Sequence, residues 1–161
     1  MRKITLVLMI ILSGCISEQP VEFSPEALAE KFMTIEGKEV TAQDILDTCK
    51  GKKMLIDIWA SWCADCISGL PELKKLQREN PDVAYVFLSL DKKKESWKKG
   101  IKKYQIEGAH YFMPNGNKGA FEDFLNISWI PRYVVLDETG KIALFKATKI
   151  TDKKIIEALK N

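Results

Sequence analysis

Two cysteines separated by two residues, Cys63 and Cys66, are the best candidates for chemistry in this chain. They stand in the run Trp59-Ala60-Ser61-Trp62-Cys63-Ala64-Asp65-Cys66, after an apolar segment and at the opening of a helical pattern. Two cysteines three apart at a helix start can close a disulfide within the first turn. That turn leaves backbone N–H groups without intrahelical partners and carries a partial positive charge, and both stabilise a thiolate. The thiolate is the attacking form of cysteine, so Cys63 reads as the nucleophile of thiol–disulfide exchange. Cys66, inside the first turn, reads as the resolving thiol. A structural zinc site needs four ligands, and the chain has no second CxxC pair and only one histidine, His110. A c-type haem would need histidine directly after Cys66, where Ile67 stands. No cofactor is expected.

A third cysteine has a different setting. Residues 1–3 are Met-Arg-Lys, and residues 4–12 form an apolar run broken only by Thr5. The run suits a signal-peptide core and is too short to span a bilayer. It ends in Leu12-Ser13-Gly14-Cys15, which resembles the bacterial lipobox, where cleavage precedes a cysteine carrying diacylglycerol. Residues 1–14 are therefore expected to be a lipoprotein signal peptide and Cys15 the lipidation site. Residues 15–31, with Pro20, Ser24 and Pro25, are read as the lipidated N-terminus and a tether. Residues 32–161 are read as the folded domain. A domain anchored outside the cytoplasm sits where disulfide chemistry is permitted. Cys49 is expected to be a small packed or half-exposed thiol.

The elements that must position the dithiol follow from periodicity. Residues 54–60 are nearly all apolar, as in a strand buried on both faces, and Asp57 interrupts them. Cys66, Leu70 and Leu73 fall at helical spacing. Residues 83–90 make a second buried strand. Trp97, Ile101 and Tyr104 mark one stripe of a helix whose lysines form the wet face. Residues 109–113 are a weaker strand and 119–125 a short helix. Strands at 133–136 and 142–145 flank the turn Asp137-Glu138-Thr139-Gly140, and Asp152 caps a last helix. Before the dithiol, residues 26–31 read as a helical turn and 44–49 as a short helix. Residues 32–35 and 40–41 flank Glu36-Gly37-Lys38 as a hairpin. A length of 161 residues suits one domain with a short extension. The net charge of +3 includes Arg2 and Lys3 of the leader, so composition gives no reason to expect nucleic-acid binding.

These residues together resemble the thioredoxin superfamily, and within it the TlpA-like extracytoplasmic thiol–disulfide oxidoreductases. The carriers are the run from Leu55 to Cys66, then Pro71, then Trp129-Ile130-Pro131-Arg132-Tyr133-Val134-Val135-Leu136-Asp137. The hairpin around Gly37 is typical of the TlpA-like branch. The resemblance implies an α/β, thioredoxin-like fold: a central mixed sheet flanked by helices, with an N-terminal β-hairpin extension. It implies that Asp57 is the buried acid that assists proton transfer at the resolving cysteine. It makes Pro131 a cis-proline facing the dithiol and Ile130 the residue whose backbone pairs with an extended substrate. Trp62 would be a flat apolar rim, and Pro71 the proline of the active-site helix. Arg132 stands where cytochrome-maturation members carry an acid, which counts against that dedicated role. Phe87 takes the place of thioredoxin's lysine near the buried acid.

The expected function is a protein-disulfide reductase of the bacterial cell envelope. Its partners would be envelope proteins with disulfides, a membrane electron donor, and the membrane itself through the lipid on Cys15. The reducing direction rests on Asp65, whose charge opposes the helix-end stabilisation of a Cys63 thiolate. The alternatives are a non-catalytic thioredoxin-fold lipoprotein that binds an extended peptide, and an envelope disulfide oxidase or isomerase.

Overall fold

The computed structural model describes residues 19–116 and 118–160. The leader and Cys15 lie outside the described residues. The centre of the fold is β3 (Met54–Trp59), every residue of which is buried. It lies between β4 (Ala84–Ser89), which runs parallel to it, and β6 (Arg132–Leu136), which runs antiparallel. A strand covered on both faces has no position at which a solvated side chain fits. Asp57 is thus the exception its sequence context announced.

Seven strands form one mixed sheet in the order β2-β1-β5-β4-β3-β6-β7. The hairpin of β1 (Lys31–Thr34) and β2 (Glu39–Thr41) turns at Gly37, whose φ of 91° favours glycine. It joins the sheet through β5 (Ala109–Phe112), with Met33 opposite Phe112 and Thr34 opposite Tyr111. At the other edge β7 (Ile142–Ala147) pairs with β6. Helices flank this sheet, as the α/β, thioredoxin-like expectation requires.

The helix after the dithiol, α3 (Ala64–Glu79), buries Cys66, Leu70, Leu73 and Leu76 and holds Pro71 within it. A side-chain carbon built on its Gly69 would lie 3.6 Å from the Tyr133 hydroxyl. Tyr133 stands opposite Asp57 in the ladder, and cross-strand partners share a face, so α3 covers the face that carries Asp57. The neighbouring pair Ile58 and Arg132 points the other way. There the Arg132 guanidinium donates to the carbonyl of Leu125 in α5 (Ala120–Leu125) and sits 5.3 Å from the centre of the Phe145 ring. In α4 (Lys94–Tyr104), Trp97 is buried and the lysines are exposed, as its stripe predicts. The last helix, α6 (Lys153–Lys160), follows Asp152, whose side chain accepts from the Lys154 N–H at 3.0 Å.

The folded unit starts earlier than residue 32. Phe23 is buried and stacks on Phe121 at 5.2 Å between ring centres, and Ala27 is buried within α1 (Pro25–Ala29). The Ile142 N–H donates to the Val21 carbonyl at 2.8 Å. Residues 21–31, read as the end of a tether, are therefore part of the packed domain. One aromatic in a polar stretch sets no period, so the docking of Phe23 left no pattern to read. Similarly, α2 (Ala42–Asp47) begins two residues ahead of expectation because Thr41 and Asp44 cap it reciprocally.

Candidate active site

The dithiol sits where β3 hands over to α3. Cys63 is the N-cap of α3, and its sulfur is bonded to that of Cys66 at 2.08 Å. The Cys66 N–H donates to Cys63 Sγ at 3.1 Å. This is the free amide of a first helical turn placed on the sulfur that must carry negative charge. Both cysteines are buried, but only Cys63 lines an open groove of about 510 Å³. Its walls include Trp62, Leu90, Ile127, Trp129 and Ile130. Access therefore differs between the two sulfurs.

The turn that presents Cys63 is locked from below. Asp91 is buried, and its carboxylate accepts from the Ser61 N–H at 2.9 Å, the Ser61 hydroxyl at 2.6 Å and the Ser89 hydroxyl at 2.9 Å. A buried carboxylate without such donors would be costly, and with three it fixes the loop. Gly100 of α4 closes the other side, where a side-chain carbon would come 2.6 Å from Ser61 Cβ. The sequence alone marks neither Ser61 nor Asp91 as a site residue. Their only signal was a serine beside the CxxC run and an acid at the end of an apolar strand.

Opposite the dithiol, the Ile130–Pro131 peptide bond is cis, as the resemblance implied. The Ile130 carbonyl oxygen lies 3.7 Å from Cys63 Sγ. The ladder between β3 and β6 ends at the pair Ile58 and Arg132, so the Ile130 backbone stands outside it. Trp62 is 63% exposed and Trp129 is 64% exposed. The two indoles flank the groove, and Trp129 was given no role from the sequence, where exposure beside a proline turn cannot be read. Arg132 is absent from the groove because it faces α5, so the departure after the cis-proline puts no charge beside the substrate.

Asp57 is 3% exposed, and its Oδ1 has no hydrogen-bond partner among the described residues. Its strand neighbours are Phe87 and Tyr133, neither of which brings a cation. Burial pushes its carboxyl up from the ordinary 3.8 to about 8. Such an acid changes charge near neutral pH, the range in which a thiol must give up or regain a proton. His110 is buried and stacked on Phe87, with its Nε2 2.9 Å from the Ile106 carbonyl oxygen, and takes no part in the site. Cys49 is half-buried, 3.5 Å from the Thr48 hydroxyl and outside the groove. Among the described residues, no three His, Cys, Asp or Glu side chains are grouped to hold a metal ion.

Known proteins match this arrangement. A family model described as thioredoxin-like matches residues 51–142. The thioredoxin-like protein YneN of Bacillus subtilis is 30% identical over 130 residues, covering 78% of this chain and 72% of that protein. The thiol-disulfide oxidoreductase ResA of Bacillus cereus is 22% identical over 166 residues, covering 96% of this chain and 92% of that protein. The solution structure of a Bacteroides vulgatus protein assigned as a thiol-disulfide oxidoreductase superposes with a TM-score of 0.69. It is 36% identical and covers 84% of this chain and 87% of its own.

The raised carboxyl of Asp57 has a consequence of definite sign. The fold favours its neutral form, so the stability it supports is complete below the ordinary carboxylate range and is lost as pH rises through about 8. Asp57→Asn is expected to be more stable than the wild type above pH 8 in urea titrations. The same variant is expected to slow the resolving step on the order of 10²-fold in stopped-flow exchange and to abolish its inflection near pH 8. An unchanged pH profile would remove Asp57 from the proton transfer.

Proposed function

The chain belongs to the thioredoxin-like family and is a thiol–disulfide oxidoreductase, and on that footing we propose that it reduces protein disulfides in the bacterial cell envelope. The observation that carries this reading is the Cys63–Cys66 pair at the start of α3, with only Cys63 open to the groove.

In the reducing direction, the Cys63 thiolate attacks one sulfur of a substrate disulfide. A bond forms between Cys63 and that sulfur, and the other substrate sulfur leaves as a thiolate and takes up a proton. The Cys66 thiol then passes its proton to the Asp57 carboxylate and attacks Cys63 Sγ. The second substrate thiolate leaves, and Cys63 and Cys66 end as the disulfide seen in the structure. Two electrons have moved to the substrate. A membrane electron donor returns them and restores the dithiol. Ile130, Pro131 and Trp62 supply the surface on which the substrate strand lies.

The direction rests on charge. Asp65 is exposed in the first turn of α3, between the two cysteines. Its carboxylate opposes the helix-end field at Cys63. A less stable thiolate disfavours the reduced state, so the dithiol gives up electrons more readily.

Location rests on Cys15. The described chain enters the domain at Val21, beside Ile142, at the end of the sheet where β3 begins. The dithiol follows the other end of β3, a strand of six residues and about 20 Å. A lipid on Cys15 would thus hold the domain with its dithiol turned away from the bilayer.

Two outcomes are expected. Cys66→Ser retains the attacking thiol and lacks the resolving one, so it should accumulate mixed disulfides that dithiothreitol dissolves on non-reducing gels, whereas Cys63→Ser should accumulate none. Equal trapping by both variants would contradict the assigned roles. Cys15→Ala should abolish palmitate labelling and leave the protein uncleaved or released from membranes. A wild-type chain that is shortened yet takes up no lipid would rule out the anchor.

A further inference from the structure

A second hollow of about 480 Å³ lies on the other side of Trp62 from the dithiol. It is bounded by Trp62 and Leu90, which it shares with the Cys63 groove, and by Phe112, Met113 and Pro114 at the end of β5. Cys63 lines the first hollow only, so the indole is a ridge between the reacting sulfur and this second pocket. Asp91 borders the pocket, but its carboxylate is taken up by Ser61 and Ser89. Trp62, Leu90, Phe112, Met113 and Pro114 give the pocket its apolar surface; Lys92 and Asn115 also line it, and the Asn115 amide donates to Glu30 at 2.6 Å. Lys92, Lys93 and Lys94 are all exposed, and none lies within 4.0 Å of a carboxylate among the described residues.

We propose that this pocket takes an apolar side chain two residues from the reacting cysteine of an extended polypeptide substrate, with an acidic residue next to it facing Lys92. The proposal rests on the exchange activity above and names the substrate class for that site. Its occupant follows from continuity: a chain that brings its sulfur to Cys63 and extends past Trp62 must cross Leu90 into the pocket. The spacing follows from geometry. Side chains two apart on an extended strand stand on the same face, about 6.6–6.8 Å from one another. An aromatic ring gripped on both faces at carbon contact distances of about 3.5 Å needs a separation of about 7 Å. The cysteine on one face of Trp62 and an apolar residue on the other meet that requirement. The unpaired lysines supply the charge complement, which salt should weaken.

The test uses ten-residue peptides with one cysteine, each presented as its mixed disulfide with glutathione. The peptides carry Leu or Ser two residues from the cysteine, on either side, with Glu or Gln beside it. The reduced protein should act on a Leu peptide with kcat/KM about tenfold above its Ser counterpart, the range one apolar side chain yields in a pocket. The effect is expected mainly in KM. Pro114→Asp should erase the Leu preference, and Lys92→Glu the Glu preference, both with unchanged rates on the uncharged 2-hydroxyethyl disulfide. Binding of serine-for-cysteine peptides to the oxidised protein, read from the Trp62 indole N–H resonance, probes the pocket without exchange. Equal binding and equal rates for Leu and Ser peptides, or a Leu preference that survives in Pro114→Asp, would overturn the pocket. Failure to reduce glutathione disulfide while the Leu preference in binding persists would count against the activity and leave the pocket standing.

Discussion

Everything at this site depends on one amide, the N–H of Cys66 directed at the sulfur of Cys63. It is one of the donors a helix leaves unpaired at its start, and here a sulfur takes it. For that to happen, β3 must end at Trp59, the chain must turn within residues 60–62, and α3 must begin at once. The buried β3 supplies the rigid base. The Asp91 network fixes Ser61, and Gly100 lets α4 close against it. Their effect is to keep the cysteine at a helix terminus while the groove above it stays open.

One charge works against this stabilisation, and a second acid is held neutral. Asp65 adds a carboxylate beside the thiolate, in water, where its effect is screened. Asp57 lies under the same helix, and burial keeps its carboxyl neutral up to about pH 8, so it adds no charge against the thiolate below that pH. No cation from β4 or β6 offsets it, since Phe87 and Tyr133 are its ladder partners. The thiolate therefore has the helix end in its favour and the Asp65 carboxylate against it, a balance that suits a couple giving electrons away.

Much of this was legible in the chain itself. A strand buried on both faces shows as a continuous apolar run, and Asp57 stood out because nothing else in residues 54–60 is charged. The CxxC pair at the strand-to-helix junction showed as two cysteines at the edge of a change in period. Other features left no comparable trace. The hairpin around Gly37 was visible, but its attachment to the sheet through β5 depends on pairing across nearly eighty residues, which local pattern does not record. Phe23 docks on Phe121 as a single aromatic anchor. The support of Ser61 by Asp91 is a contact between two loops, and Trp129 is exposed in the loop ahead of β6. Periodicity reports what faces a core, whereas loop contacts and exposed rings are settled only by the assembled fold.

The central claim is that Cys63 and Cys66 form a reducing couple. The direct measurement is its reduction potential, taken by equilibrating the protein with dithiothreitol or glutathione buffers and counting free thiols. The balance of charges at Cys63 predicts a value nearer thioredoxin's, about −270 mV, than that of a strong oxidant of the DsbA kind, about −120 mV. A potential close to the latter would mean that the helix end outweighs the Asp65 carboxylate, and the chain would then be an oxidant of its substrates.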